Sequence, residues 1–330
     1  MNLLIVFVIM LVLLVSEMGN NHPVEHVWFR FAAILLTTFM VPMLAAFQTV
    51  IVTRKLRSED CDLDKIPSML KRLTACHSAV WLVASLAIVY SFQWQKIVRG
   101  NWGLDQWLLL DEVLIIAPVV LSLIASWAIF FDIQTVFTPA SKLKTLKKRI
   151  KFVALRVRVY LAIFLVPTLL AIGAKDFIDG QSSSDAMLVT GMIIGLPIML
   201  IAFPFIVMFV WQTRPITDPE LRKNVEDIIK QHRLKVASIR IWSTSRQIVN
   251  AVVAGVFPYF RVILVSDGLV NQFSSNQLAA IIRHEAGHIR RWHLPLRMFF
   301  IILPLAIVMS AEFTGHSAIQ ILQQLAMQVQ

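Results

Sequence analysis

The chain has 330 residues, of which 57% are hydrophobic and only 15% are charged, and its net charge is +11. Because charged residues make up about a quarter of a soluble globular protein, this composition excludes an ordinary soluble protein of two domains. The two cysteines, Cys61 and Cys76, are too few for a disulfide framework and lie in no metal-ligand pattern.

The apolar residues are concentrated in blocks, many of them about as long as a helix that crosses a bilayer. There are about seven blocks, and they lie near residues 2–15, 27–52, 73–93, 113–131, 152–173, 187–211 and 297–311. The first block lacks the basic leader and the small-residue cleavage site of a signal peptide, so we interpret it as a retained span. The blocks predict a mainly α-helical, polytopic membrane protein with multiple passes through the lipid bilayer.

The basic residues alternate between the connections of these blocks. Segment 53–72 contains six Lys and Arg residues and segment 132–158 contains eight. The other connections contain none, two and one, in the order 17–26, 94–107 and 174–186. This positive-inside pattern predicts that the amino terminus, both basic segments and the stretch 212–296 face the cytoplasm. No nucleic-acid partner is predicted, since no basic patch is interleaved with stacking aromatics.

Two acidic residues, Asp111 and Glu112, immediately precede the apolar block at 113–131. An acid inside a membrane is a candidate functional residue. Because these acids stand at the edge of the block, close to Trp102, we interpret them as interfacial. We interpret His77, near the start of another block, as structural.

From about residue 212 the sequence acquires the alternation of polar and apolar residues that a water-facing domain has. Thr217 and Glu220 form a helix-start signal, and apolar residues then recur at helical spacing to about residue 232. Three strands are predicted at 237–242, 249–253 and 261–266, and the last two form a hairpin. We therefore predict three regions: six spans at 1–211, a small cytoplasmic α+β zincin-like domain at 212–296, and a further span with a tail at 297–330.

A second helix is predicted from Ser274, with Gln277 completing its start signal, to about residue 293. It contains His-Glu-Ala-Gly-His at 284–288. Positions four apart share one face of a helix, so His284 and His288 can both offer a ring nitrogen to one zinc ion. Glu285 can accept a proton from metal-bound water. The bare pattern also arises by chance on solvated helices, and its position after a hairpin favours a zinc peptidase site.

The runs 250–255, 261–270 and 277–288 together resemble the membrane zinc metallopeptidases of the HtpX and type I CAAX prenyl protease family. That family has an Asn-Ala strand, an apolar strand that ends in a turn, and a His-Glu-x-x-His helix. The resemblance implies that His284 and His288 are zinc ligands and that Glu285 is the catalytic base. It also implies that Asn250 and Ala251 lie along a polypeptide substrate, which would be membrane-associated or prenylated.

The third zinc ligand of that family is a Glu in a Glu-x-x-x-Asp helix, and no such pattern follows His288. Glu312 and His316 are the remaining candidates. If block 297–311 crosses the bilayer, both emerge about 30 Å from the metal. We expect His293 to be rotated away from the metal and to face lipid headgroups. Either the short block at 297–311, which contains Pro304, is a shallow hairpin, or the ligand-bearing helix lies beyond this sequence, and we favour the second interpretation.

Two alternative functions stay open at this point. Arg291 matches the Arg of the His-Glu-x-x-His-x-x-Arg run in membrane metallopeptidases of the beta-lactam-sensor type. Those proteins usually continue with x-Asp, whereas this chain continues with Trp292 and His293. The other alternative is a non-catalytic membrane scaffold or transporter that retains a partial metal site.

Overall fold

A computed structural model describes residues 3–18, 22–57, 63–136, 146–181, 185–231 and 235–290. The chain divides into two compact units, Met1–Leu188 and Val189–Gln330. The division into three regions at 1–211, 212–296 and 297–330 stays a prediction, because the last region lies outside the described residues.

The first unit is helical throughout its described part. Its helices are α1 (Leu3–Met18), α2 (Val27–Leu56), α3 (Ile66–Leu86), α4 (Trp94–Lys96), α5 (Leu110–Val136), α6 (Leu146–Arg156) and α7 (Ile163–Gln181). Wider π turns extend α3 over Ala87–Ser91, follow α4 over Ile97–Asn101 and join α6 to α7 over Val157–Ala162.

Four of the described helical segments are long and apolar enough to cross a membrane: Val27–Leu56, Ile66–Ser91, Leu110–Val136 and Leu146–Ala174. They coincide with four of the predicted apolar blocks. Two shorter apolar helices, Leu4–Ser16 and Pro197–Val210, coincide with two more. The block at 297–311 lies outside the described residues. A mainly helical protein with several membrane-spanning segments is thus supported, and a total of seven spans stays a prediction.

A proline inside α5 explains one long-range contact of the first unit. Pro118 has no N–H, so the carbonyl of Leu114 one turn earlier loses its helical donor. The indole N–H of Trp94 donates to that carbonyl over 2.9 Å. Membrane helices tolerate an internal proline when a neighbouring side chain satisfies the backbone group that it leaves free.

The acidic pair at the start of α5 is ion-paired and buried. The Nε of Arg99 lies 2.6 Å from Oδ2 of Asp111, and its Nη2 lies 2.9 Å from Oε1 of Glu112. A third guanidinium nitrogen, Nη1, donates to the carbonyl of Ser16 at the end of α1 over 2.7 Å. Asp111 is 4% exposed and Glu112 is 2% exposed. This burial was not predicted from the sequence: Arg99 draws both acids, in the first turn of α5, into the interior of the unit. Their interfacial position stays a prediction.

His77 on α3 is buried, and its ring packs edge-on against Phe130 with 4.8 Å between the ring centroids. Its nitrogens have no hydrogen-bond partner among the described residues. The structural interpretation of His77 is thereby supported.

The second unit contains a small mixed sheet and its helices. Its elements are α8 (Asp185–Val210), β1 (Thr213–Pro215), α9 (Pro219–Gln231), β2 (Ser238–Trp242), β3 (Ala251–Ala254), β4 (Val262–Ser266), α10 (Asp267–Gln272) and α11 (Ser275–Arg290). The unit begins at Val189, within α8. The strand order is β1-β2-β4-β3, with β1 antiparallel to β2, β2 parallel to β4 and β3 antiparallel to β4. The predicted hairpin of β3 and β4 is confirmed. Strand β1 and the parallel pairing were not predicted.

Both predicted helix starts are present, one of them with a different capping residue. The carboxylate of Asp218, rather than Thr217, accepts the N–H of Glu220 over 3.0 Å at the start of α9. At the start of α11, Oε1 of Gln277 accepts the N–H of Ser274 over 3.1 Å. Helices α9 and α11 then share one apolar core with the sheet, formed by Ile216, Val225, Ile241, Ala251, Ile263, Val265, Leu269, Leu278 and Ile282.

Candidate active site

Helix α11 carries the His-Glu-Ala-Gly-His run in its last turns, after the apolar residues that anchor the helix in the core. Leu278 and Ile282, one turn apart, are buried in the core of the unit. Position 284 follows Ile282 by two residues, about 200° around the helix, and His284 is exposed. Position 288 comes one turn after position 284 on the same face. Of the two candidate ligands, His284 therefore lies outside the core of the unit.

Two imidazoles four residues apart fit zinc, which favours nitrogen and sulfur ligands. Within the described part of the chain there is no group of three or more His, Cys, Asp or Glu residues that could hold a metal. Three residues considered as further ligands, His293, Glu312 and His316, lie outside the described residues. The roles of His284 and His288 as ligands and of Glu285 as base stay predictions.

Strand β3, which carries the predicted substrate-contacting residue Ala251 directly after Asn250, is the outermost strand of the sheet. The N–H of Asn250 donates to Oγ of Ser266 over 3.0 Å, and its carbonyl accepts the N–H of Ser266 over 3.0 Å. Asn250 therefore directs both backbone groups toward β4. Hydrogen bonding alternates along an antiparallel pair, so Ala251 and Val253 direct theirs toward the outer edge.

No strand in the described ranges pairs with this outer edge of β3. Helix α11 packs directly against β3. The structure thus brings the strand of Asn250 and Ala251 next to the helix of His284, Glu285 and His288. An open strand edge beside such a helix can hold an extended peptide by backbone hydrogen bonds.

A residue that sequence reasoning missed fixes the loop that leads into β3. Oδ1 of Asp267 accepts the N–H of Thr244 over 3.0 Å and that of Arg246 over 3.2 Å, and it also bonds the Thr244 hydroxyl. Ser245 and Arg246 both have left-handed backbone angles, with φ of 54° and 62°. Such conformations are uncommon for residues with side chains and need support from their surroundings. Asp267 supplies that support.

The two neighbours of Asp267 act on the same segment. Ser266 caps α10 by accepting the N–H of Leu269 over 3.2 Å, and its Oγ also accepts the N–H of Asn250. At Gly268, an added Cβ would lie 2.3 Å from the carbonyl oxygen of Ile248. The Asp-Gly pair is therefore the anchor of the edge strand.

Two charged side chains in this unit have shifted pKa values. On the exposed surface of α9, Nε of Arg222 donates to Oε1 of Glu226 over 2.8 Å, and this hydrogen bond lowers the pKa of Glu226. Near β4, burial lowers the pKa of the Arg261 guanidinium from its ordinary value. Neither group belongs to the predicted site.

Comparison with known proteins gives a family match and a similar solved structure. The sequence profile of peptidase family M48 matches residues 215–329. Among solved structures, the crystal structure of S. mikatae Ste24p is 17% identical, and the match covers 89% of this chain and 74% of that chain with a TM-score of 0.38. No curated protein matches the chain. Residues 215–329 of this membrane protein thus constitute a domain of peptidase family M48.

Proposed function

We propose that the protein is an integral-membrane, zinc-dependent endopeptidase whose active site faces the cytoplasm. The observation that carries this proposal is the packing of α11, with its His-Glu-x-x-His run, against the open edge strand β3 in a domain of peptidase family M48. The positive-inside distribution of Lys and Arg supports the cytoplasmic orientation.

In this proposal His284 and His288 hold the zinc ion. A zinc ion held there would supply Lewis-acid chemistry, which polarises the scissile carbonyl and makes the attacking water more acidic. Glu285 accepts the proton of the attacking water and transfers it to the leaving amine. His284 is exposed and α11 packs against β3, so a substrate on the edge of β3 can approach the His-Glu-x-x-His run.

The proposed substrate is a polypeptide in extended conformation, added as a strand to β3. The outward N–H and C=O groups of Ala251 and Val253 hold the backbone of the substrate. Asn250 directly precedes these residues and pairs with Ser266. Backbone pairing recognises the extended conformation of the substrate and does not require a particular side chain. The several apolar helices of the protein favour a substrate that is itself associated with the membrane or prenylated.

The test is cleavage of a membrane-anchored reporter polypeptide by the full chain in proteoliposomes, with Glu285→Gln as the variant. A general base contributes roughly 100-fold to 10,000-fold to a rate, and we expect a loss of that size. The matched control is Glu220→Gln, an exposed glutamate in the first turn of α9, which should cleave like the wild type. Cleavage retained by Glu285→Gln would refute the assigned role.

Two other functions make different predictions in the same assay. A non-catalytic scaffold or transporter would give no cleavage with either the wild type or the control. A sensor of the beta-lactam type, suggested by Arg291, would require beta-lactam for cleavage. Residue 291 lies outside the described residues.

A further inference from the structure

The turn that joins β3 to β4 exposes three aromatic side chains. We call residues 255–261 the hairpin tip. Within it Tyr259 is 72% exposed, Phe257 is 38% exposed and Phe260 is 36% exposed. Neighbouring large aromatics on a water-facing turn are unfavourable, and a contiguous exposed apolar patch marks an interaction surface.

Hydrogen bonds within the hairpin tip support the conformation that exposes its aromatics. The buried side chain of Arg261 donates from Nε to the carbonyl of Gly255 over 3.2 Å and from Nη2 to that of Val256 over 2.8 Å. Gly255 has a φ of 103°, a conformation that suits glycine alone. A short helical turn over Pro258–Phe260 completes the tip.

The hairpin tip lies against the last turns of the apolar helix α8. The rings of Phe205 and Phe260 meet edge to face with 6.3 Å between their centroids. Pro204 is close enough that its Cγ would lie 3.3 Å from a Cβ added at Gly255. Phe209, one turn beyond Phe205, is 86% exposed. The exposed aromatics of α8 and of the hairpin tip therefore form one surface.

The position of this contact along α8 matches the depth of a membrane interface. Phe205 precedes the end of α8 at Val210 by five residues, or about 8 Å of helix. The polar interface adds roughly 5–8 Å on each side of the hydrocarbon core. If the apolar length of α8 lies in the hydrocarbon, the hairpin tip is at the level where aromatic residues are enriched in membrane proteins.

A basic residue accompanies the aromatics, as expected for that environment. The Nζ of Lys235 lies 3.4 Å from the hydroxyl of Tyr259 and 5.3 Å from the centroid of its ring. Lysine can place its ammonium among phosphates while its stem covers apolar surface. Tyrosine likewise has an apolar ring and a polar end.

From this geometry we infer that the hairpin tip, together with Phe205 and Phe209, inserts into the headgroup region of the lipid bilayer. The partner is the lipid surface, with Phe257, Tyr259 and Phe260 in the interface and Lys235 at the phosphates. If the proposed peptidase function holds, a peptide bound along the edge of β3 is cleaved close to the membrane surface, because β3 ends where the hairpin tip begins.

The test measures the membrane exposure of a fluorophore on the full chain in proteoliposomes. The probe is an environment-sensitive label on Tyr259→Cys, in a background with Cys61→Ser and Cys76→Ser. The matched control is Lys230→Cys on the exposed surface of α9. We expect lipids with brominated acyl chains to quench the label at 259 strongly, and aqueous iodide to quench the label at 230.

Two results would overturn the inference. One is equal quenching of both labels by iodide with no effect of brominated lipids. The other is a label at 259 that is protected from iodide but not quenched by brominated lipids, since that would mean coverage by protein.

A second measurement separates this inference from the peptidase proposal. Tyr259→Ser should reduce cleavage of a membrane-anchored reporter but leave cleavage of the same peptide free in solution unchanged. Tyr259→Trp should restore cleavage of the anchored reporter. Equal loss on both substrates would contradict the membrane role of the tip. Failure of the wild type to cleave either substrate would count against the peptidase proposal alone, because the quenching experiment needs no activity.

Discussion

Asp267 accepts the backbone N–H of Thr244 over 3.0 Å, across 23 residues of sequence, and so ties the loop before β3 to the start of α10. Thr244 is fully buried, and its hydroxyl bonds the same carboxylate oxygen. The left-handed residues Ser245 and Arg246 follow immediately. The conformation of the edge strand proposed to bind substrate therefore depends on a residue outside the metal motif.

Replacing Asp267 with alanine should loosen this loop. The buried N–H and hydroxyl of Thr244 lose their acceptor, which costs about 2–3 kcal/mol for hydrogen bonds to a charged group. Asp267→Asn keeps an acceptor oxygen and should lose less. Hydrogen exchange of residues 244–254 measures the effect, with Asp227→Asn on the exposed surface of α9 as control. Unchanged exchange in Asp267→Ala would show that the carboxylate does not hold the loop.

A methyl group at Gly268 should displace the loop before β3, which Asp267 also contacts. The new Cβ would stand 2.3 Å from the carbonyl oxygen of Ile248, so the backbone must move. Forcing an extra carbon into a packed site costs about 1–3 kcal/mol. We expect Gly268→Ala to lower the thermal unfolding midpoint and to speed exchange in β3. Gly195→Ala, with no described atom within 4 Å of the added carbon, is the control; equal effects of both would contradict the close approach.

Proline substitutions in β3 should distinguish its two edges. Val253→Pro removes an N–H that points away from β4, and an outermost strand tolerates proline there. We expect the fold to persist and KM for an extended peptide to rise about fivefold, the equivalent of one hydrogen bond. Val252→Pro removes the donor that faces Leu264 and should destabilise the hairpin itself. An unchanged KM in a folded Val253→Pro variant would argue against strand addition at this edge.

The buried cluster of the first unit makes an independent prediction. Arg99→Met leaves Asp111 and Glu112 buried without their cation, and breaking a buried pair in this way costs about 3–5 kcal/mol. The triple variant with Asp111→Asn and Glu112→Gln should recover most of that loss. Thermal unfolding in detergent measures both, with exposed Arg72→Met as control. Similar midpoints for Arg99→Met and Arg72→Met would rule out a stabilising cluster.

The features that the sequence revealed are those with a local signal. Apolar blocks indicated the helices of the first unit, alternation indicated β2, β3 and β4, and the pair Ser274 and Gln277 indicated the start of α11. Strand β1 was missed because three residues that include Pro215 are too short to show alternation. The parallel pairing of β2 with β4 was missed because alternation within a strand carries no information about its neighbour.

The contacts that the sequence could not reveal join residues distant along the chain. The positions of Asp111 and Glu112 in the sequence predict an interfacial location. These acids form a buried cluster because the fold places Arg99 beside them. Asp267 resembles an ordinary turn residue until its bonds to Thr244 and Arg246 are known. In both cases the partner is selected by tertiary structure rather than by spacing.

The most direct test of the proposed function is the zinc content of the purified full chain and its variants, measured by elemental analysis after removal of loosely bound metal. Wild type and Glu285→Gln should retain up to about one zinc per chain, since the base is not a ligand. His284→Ala and His288→Ala should lose it while circular dichroism shows unchanged helix content. A His284→Ala or His288→Ala variant that retains as much zinc as the wild type would contradict the account.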